Sequence, residues 1–222
     1  MAVKKKASRP KAKVTPKTTA KAKPKPKPKP KPKPKPKAKA KATAKAAPTR
    51  APKAMSEAEM MAQWQAAATP SAGHARLMSM VGSWRATTTF TMAPDAPAQV
   101  SSGTSVHRLV LGGRYLEQIY KGTAMGMPFE GIGYTGYDNV QKRYVGTWMD
   151  TFGTGLMTSI GTGNPTDERI DCVAEAVEPS GLKRVFETIV RIRNHGAHSY
   201  EMWTTGPNGK KYRTMIVEYE RA

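Results

Sequence analysis

VGSWRATTTF, residues 81–90, is the stretch where the chain changes its period. Trp84, Ala86, Thr88 and Phe90 share one face of an extended strand, a repeat of two that no helix produces. The pattern continues towards the C-terminus in TSVHRLVL, RYLEQIY, FEGIGYTGY, RYVGTWMDT, GLMTSIG, RIDCVAEA, KRVFETIVRIR, HSYEMWTT and KYRTMIVEYE. Turn signals separate these short runs: Gly112-Gly113, Asp138-Asn139, Asn164-Pro165, Pro179-Ser180-Gly181, Asn194-His195-Gly196 and Asn208-Gly209. About ten antiparallel strands at hairpin spacing, with no helical crossovers, predict an all-β fold. A meander of that length closes most readily into an up-and-down barrel, because closure removes the exposed strand edges. Such a barrel leaves room for its own side chains or for one small ligand.

Upstream of Gly82 the period is helical. SEAEMMAQWQAA opens with Ser56 as N-cap and Glu59 three residues on, a capping box, and Met60, Met61 and Trp64 follow at helical spacing. This helix is predicted to end near Thr69-Pro70, with a shorter one over His74 to Met80. The chain then divides into a tail at 1–54, a helical lead-in at 55–80 and a barrel at 81–222, long enough for one domain.

The tail carries the charge. The chain has 37 Lys+Arg, 16 Asp+Glu and a formal net charge of +21. Residues 1–54 hold 19 Lys and 2 Arg and no acid, so the remaining 16 basic residues match the 16 acids of the rest. AKPKPKPKPKPKPKPKAKAKA, residues 22–42, alternates Lys with Pro. Pro removes every second amide donor, which excludes helix and sheet and leaves an extended polyproline II rod of about 3.1 Å per residue. With two Val, Met1 and no aromatic, the arm is expected to stay disordered, having little apolar surface to offset ordering entropy. A lysine polycation without stacking residues reads as a sequence-independent polyanion ligand, through Lys23, Lys25, Lys27, Lys29, Lys31, Lys33, Lys35 and Lys37. If half its cations met phosphates of a nucleic acid, the log–log salt slope would be near −9. A solvated spacer and an anionic membrane surface are the other readings of the arm.

The start MAVKKKASRPKAK lacks the apolar core of a secretory signal, and no stretch approaches the roughly 18 apolar residues of a spanning helix. The single Cys172 forbids an internal disulfide. A reducing cytoplasm, with nucleoid association through the arm, is the expected location.

Gly82-x-Trp84 at the head of the first strand resembles the Gly-x-Trp of the calycins, the lipocalins and their relatives. HRLVLGGRYLEQIYKGTAMGMPFEGIGYTGYDNVQKRYVGTWMDTFGTGLM and MWTTGPNGKKYRTMIVEYERA resemble one bacterial family of unknown function, domain of unknown function 1579, over nearly all of residues 75–222. The resemblance implies a calycin-like barrel and supplies no reaction. It also implies that Trp84 plugs one barrel end under a late arginine, Arg221 or Arg213, by cation–π packing. The arm resembles the Lys/Ala/Pro-rich arms of linker-histone-like bacterial proteins. Some calycin-like barrels hold haem through one histidine, which here would be His198.

No residue pattern commits the chain to catalysis. His195 and His198 flank a Gly-containing turn and read as exposed, without the three or four ligands of a zinc site. His107 lies mid-strand, facing in or out. There is no Gly-x-Ser-x-Gly elbow, FGTGLMTSIGTG lacks dinucleotide spacing, and Cys172 reads as a buried, inert thiol. The 13 Met are scattered and suit gap filling rather than copper. Glu117, Glu130 and Asp150 fall in three consecutive strands, near Arg108 and Arg114. With Tyr134, Trp148, Met125 and Met127 they could line a pocket, or they could form an outward salt-bridge ladder. The expected ligand set is Arg108, Glu117, Glu130, Tyr134, Trp148 and Asp150, with no metal and no cofactor.

The leading reading is a non-enzymatic barrel that binds a small, mostly apolar molecule, tethered by its arm to nucleic acid or another polyanion. An enzyme using Glu117, Glu130 and Asp150 for acid–base chemistry is a second reading. A nucleoid-associated protein with the barrel as a scaffold or homodimer surface is a third.

Overall fold

The computed structural model describes residues 55–162 and 168–222. The chain separates into two units, Met1–Pro52 and Lys53–Ala222. The lysine-rich arm lies outside the described residues, as do the polyanion contacts expected of Lys23 to Lys37 and the Asn164-Pro165 turn.

Helix α1 spans Glu57–Ala68 and α2 spans Ala72–Met78. Ser56 caps α1: its Oγ accepts from the Glu59 amide at 3.3 Å, and its own amide donates to Glu59 Oε2 at 2.8 Å. No residue of α1 is buried, and Trp64 is 69% exposed, so Met60, Met61 and Trp64 face solvent. The helix therefore rests on its cap and its alanines rather than on packing. Asn139 secures its far end, donating from Nδ2 to the Ala67 and Thr69 carbonyls at 3.0 and 2.7 Å.

Ten strands follow: β1 Gly82–Phe90, β2 Gln99–Val110, β3 Tyr115–Ala124, β4 Met127–Asp138, β5 Arg143–Asp150, β6 Met157–Thr162, β7 Arg169–Val177, β8 Lys183–Asn194, β9 Ala197–Thr205 and β10 Lys211–Arg221. Each pairs antiparallel with its sequence neighbours, and β1 pairs with β10 to close the barrel. At that seam Trp84 stands opposite Arg221 and Thr88 opposite Val217. Strand β2 begins at Gln99, five residues before the segment recognised in the sequence, because QVSSG is small and polar yet still pairs with β1.

Two clusters fill the interior. Leu77 and Met80, from α2 and the residues after it, pack on Leu116, Tyr144, Ile170 and Ile192 and close one end. Trp84, Ala86, Tyr120, Val217 and Tyr219 form the second cluster, with Phe129, Trp148, Tyr200 and Met215 against it. The two inward glycines of FEGIGY make space for an aromatic ring: a Cβ on Gly131 would lie 2.2 Å from Trp148 Cζ2, and one on Gly133 2.8 Å from Cε3. Gly131→Ala is therefore expected to push the indole off β4 and cost about 1–3 kcal/mol. Urea unfolding would show it as a lower midpoint, and a wild-type midpoint would refute the account.

Candidate functional site

Register decides which of the expected site residues meet. Arg108 pairs with Glu117, and Glu117 with Tyr134, so these three lie in one row across β2, β3 and β4. The row is on the outer face, because the inward neighbours of that stretch are His107, Gln118 and Gly133. Arg108 Nε donates to Glu117 Oε2, and Tyr134 Oη donates to Glu117 Oε1 at 3.0 Å. The Arg108 hydrogen bond holds the Glu117 carboxyl below the usual range, although burial acts in the opposite sense. The bond to Glu117 in turn raises the Tyr134 hydroxyl. Glu130 sits further along the outer face, with Lys121 Nζ donating to it at 3.3 Å.

The idea that Arg108, Glu117, Glu130 and Tyr134 line an internal pocket is thus corrected by strand parity, and the outward ladder is what forms. Met125, with φ of 52°, belongs to the tight β3–β4 turn and not to a lining, and Met127 is exposed beside it. Trp148 and Asp150 do face inward, opposite Gly133 and Gly131. Trp148 Nε1 donates to Asp150 Oδ2 at 2.9 Å, and the Phe152 amide donates to Oδ1 at 2.9 Å. Glu117, Glu130 and Asp150 therefore never converge, which leaves the acid–base reading without a constellation.

The plug is compact. Trp84 is 0% exposed, and its Nε1 donates to the Met80 carbonyl at 2.9 Å. The Arg221 guanidinium lies 4.5 Å from the ring centroid and donates to the His195 and Val81 carbonyls at 2.8 and 3.3 Å. Arg213 instead stands over Trp203 at 5.9 Å. Gly82 explains itself here: its φ is +142°, and a Cβ would lie 2.3 Å from Arg221 Nη1. The Gly-x-Trp pattern is a passage for the arginine as much as a seat for the indole.

Two histidines complete this layer, and sequence reasoning misplaced one of them. His198 is buried, not an exposed turn residue, because the turn occupies His195 and Gly196 and β9 starts at Ala197. His107 is buried as well, with Nε2 at 3.0 Å from Ser105 Oγ. His198 stacks on Tyr219 with centroids 4.4 Å apart and takes the Trp84 edge at 4.4 Å, and the two imidazoles are 5.2 Å apart. Burial drives His107 down to about 4, and burial with the nearby His107 and Arg221 takes His198 to about 3. Both rings are neutral at pH 7. The His198 environment does not fit a haem, since Tyr219 and Trp84 already pack its ring. Among the described residues no group of three or more His, Cys, Asp or Glu is placed to hold a metal. Cys172 faces the interior half-buried, and burial pushes its thiol up to about 11.

Burial is mixed on both sides of the plug: Leu77, Leu116, Tyr144, Ile170 and Ile192 are buried at the floor beside half-buried Leu109, Tyr137 and Val190, and Tyr120, Ala174, Thr188 and Val217 are buried above it, whereas Phe129, Trp148, Met157, Phe186, Met202 and Met215, nearer the opposite rim, are half-buried. Gln118 and Tyr200, at mid-depth, are also half-buried. Gln118 Nε2 donates to Tyr219 Oη at 2.8 Å. The arrangement is a barrel stoppered at one end and lined with aromatic and thioether groups towards the other.

A closed ten-stranded antiparallel barrel with a Trp–Arg plug defines the class. The chain belongs to the family described as protein of unknown function DUF1579, whose model matches residues 69–221. No curated protein matches it. Among solved structures, it is similar to Rv2717c from M. tuberculosis at 16% identity and a TM-score of 0.53, over 69% of this chain and 99% of that one. It is also similar to the S-type phycobiliprotein lyase CPES from Guillardia theta, at 11% identity and a TM-score of 0.46, over 66% of this chain and 90% of that one. The first of these likenesses supports the fold. No helix among the described residues is long and apolar enough to cross a membrane.

Proposed function

We propose that the protein is a non-enzymatic binding barrel that takes one small, largely apolar molecule into its lumen, in the manner of the calycins. The observation that carries this reading is the lining towards one rim: Trp84, Leu77 and Met80 are buried at the other end, while the inward Phe129, Trp148, Met157, Met202 and Met215 are only half-buried. Ligand sites are typically concave, apolar and furnished with a few polar groups, here Gln118, Tyr200 and the Trp148–Asp150 pair. Native mass spectra of the full chain, recorded beside denatured ones, test it. A reproducible adduct lost on denaturation is expected, and Trp148→Ala should diminish it. A bare mass from a folded protein would remove the reading.

The lysine arm supplies a second element, a polyanion tether for a cytoplasmic protein. Its support is the charge asymmetry, with 21 cations and no acid before residue 55. Replacing Lys23, Lys25, Lys27, Lys29, Lys31, Lys33, Lys35 and Lys37 by Gln should weaken retention on duplex DNA and flatten its salt dependence by about 7 in log–log slope. Unchanged retention would assign the arm to a spacer.

A further inference from the structure

We propose that the lumen selects uncharged amphiphiles, molecules with an apolar body and one neutral hydroxyl or amide at the buried end, and rejects carboxylates of the same size. This rests on the binding reading above and names the chemistry of that site.

The argument is one of charge placement. Inward positions alternate along every strand, and the registers identify them. Between the Trp84–Arg221 layer and the opposite rim they carry Gln118 and Tyr120 on β3, Cys172 on β7, Thr188 on β8 and Tyr200 on β9. None of the inward positions in this span among the described residues is a lysine or an arginine. His107 stands directly across from Gln118, His198 stacks on Tyr219, and burial keeps both imidazoles neutral at pH 7. Arg221 is on the far side of the Trp84 ring, engaged with the His195 and Val81 carbonyls. An entering anion would thus lose its water and find no counter-charge, and a buried unpaired charge is far more costly than a buried, bonded neutral group.

The rim reinforces this. Asp150 faces inward there as a carboxylate that accepts from Trp148 Nε1 and the Phe152 amide. Arg184, at an inward position opposite Ala176, is already taken by Glu178. An anion therefore meets a negative group at the entrance and a committed cation beside it.

The mid-depth groups suit a neutral head. Gln118 uses its Nε2 on Tyr219 Oη, so its carbonyl Oε1 is the natural acceptor for a donor from the ligand. The Tyr200 hydroxyl, hydrogen-bonded to the Thr188 side chain and pushed upward in its titration by burial, stays neutral beside it. A hydroxyl or primary amide has a proton to give Gln118, whereas a carboxylate has none.

Competition between 1-decanol and decanoate tests the inference on the full chain. The reporter is 1-aminoanthracene, a neutral fluorophore, at pH 8, where decanoate is ionised. Decanol is expected to displace it at concentrations at least about tenfold lower than decanoate. Energy transfer from tryptophan to the probe should fall in Trp148→Phe, which places the probe in the lumen. Gln118→Arg, which sets a cation at mid-depth, should narrow or invert the ratio. Gln118→Leu should weaken decanol several-fold without helping decanoate, and serves if the arginine variant fails to fold. Equal or tighter binding of decanoate to the wild type would overturn the neutral-ligand inference while leaving the binding barrel in place. No uptake of the probe or of either amphiphile would overturn both.

Discussion

Replacing Trp84 by alanine is expected to destabilise the barrel by about 3–5 kcal/mol. The indole is wholly buried and is touched from several directions: Met80 accepts its hydrogen bond, Arg221 covers one face, and His198 packs against it at 4.4 Å. Alanine would leave a void in the layer that joins α2 to the barrel, and the Met80 carbonyl would lose a donor. It would also expose Arg221 to a cavity rather than a π-face, removing a cation–π contact worth about 0.5–2 kcal/mol. Trp84→Phe should recover part of the loss by refilling the space, but not the hydrogen bond. Urea denaturation followed by far-UV circular dichroism measures all three proteins. A difference below 1 kcal/mol between wild type and Trp84→Ala would mean that the plug is dispensable.

The second large effect is acid lability. His107 and His198 have folded-state values of about 4 and about 3, against about 6.5 for an unfolded imidazole. Below pH 6.5 the unfolded chain therefore binds more protons than the folded one, and stability falls as pH falls. The loss runs from about 6.5 down to about 4 for His107 and about 3 for His198. At pH 4.5 the pair together would remove on the order of 5 kcal/mol relative to pH 8. His198→Phe keeps an aromatic ring between Trp84 and Tyr219 and removes one of the two protons. Its unfolding free energy should decline with acid about half as steeply in this range, once carboxylate contributions common to both proteins cancel. Parallel curves for wild type and variant between pH 7 and 4.5 would show that His198 is not the titrating group.

The strands were legible because period two and turn residues are local signals. The alternation in SWRATTTF survives in β1, and the Gly112-Gly113 and Asn208-Gly209 turns sit between strands. The site was less legible because an inward or outward assignment needs one fixed point per strand. In β3 both Leu116 and Glu117 are buried, the first by the core and the second by Arg108, so burial tendency alone does not reveal parity. In β9 the two faces carry Tyr200 with Met202 and Glu201 with Trp203, so each is partly aromatic and His198 gives no cue to its side. Its pairing with inward Tyr219 of the neighbouring β10 places it inside. Capping chemistry read correctly at Ser56, and the helical spacing of Met60, Met61 and Trp64 held, although none of the three is buried.

The seam between β1 and β10 has a kinetic consequence. Every other strand pair joins neighbours in sequence, so hairpins can form early at small loop-closure cost. The β1–β10 pair must bring together segments separated by nearly the whole barrel, for which the closure entropy is about 4 kcal/mol. That contact dominates the contact order of the fold, and such non-local pairing is the slow kind. Trp84 and Arg221 face each other at the seam, so the plug also clasps the one strand pair that sequence proximity does not bring together.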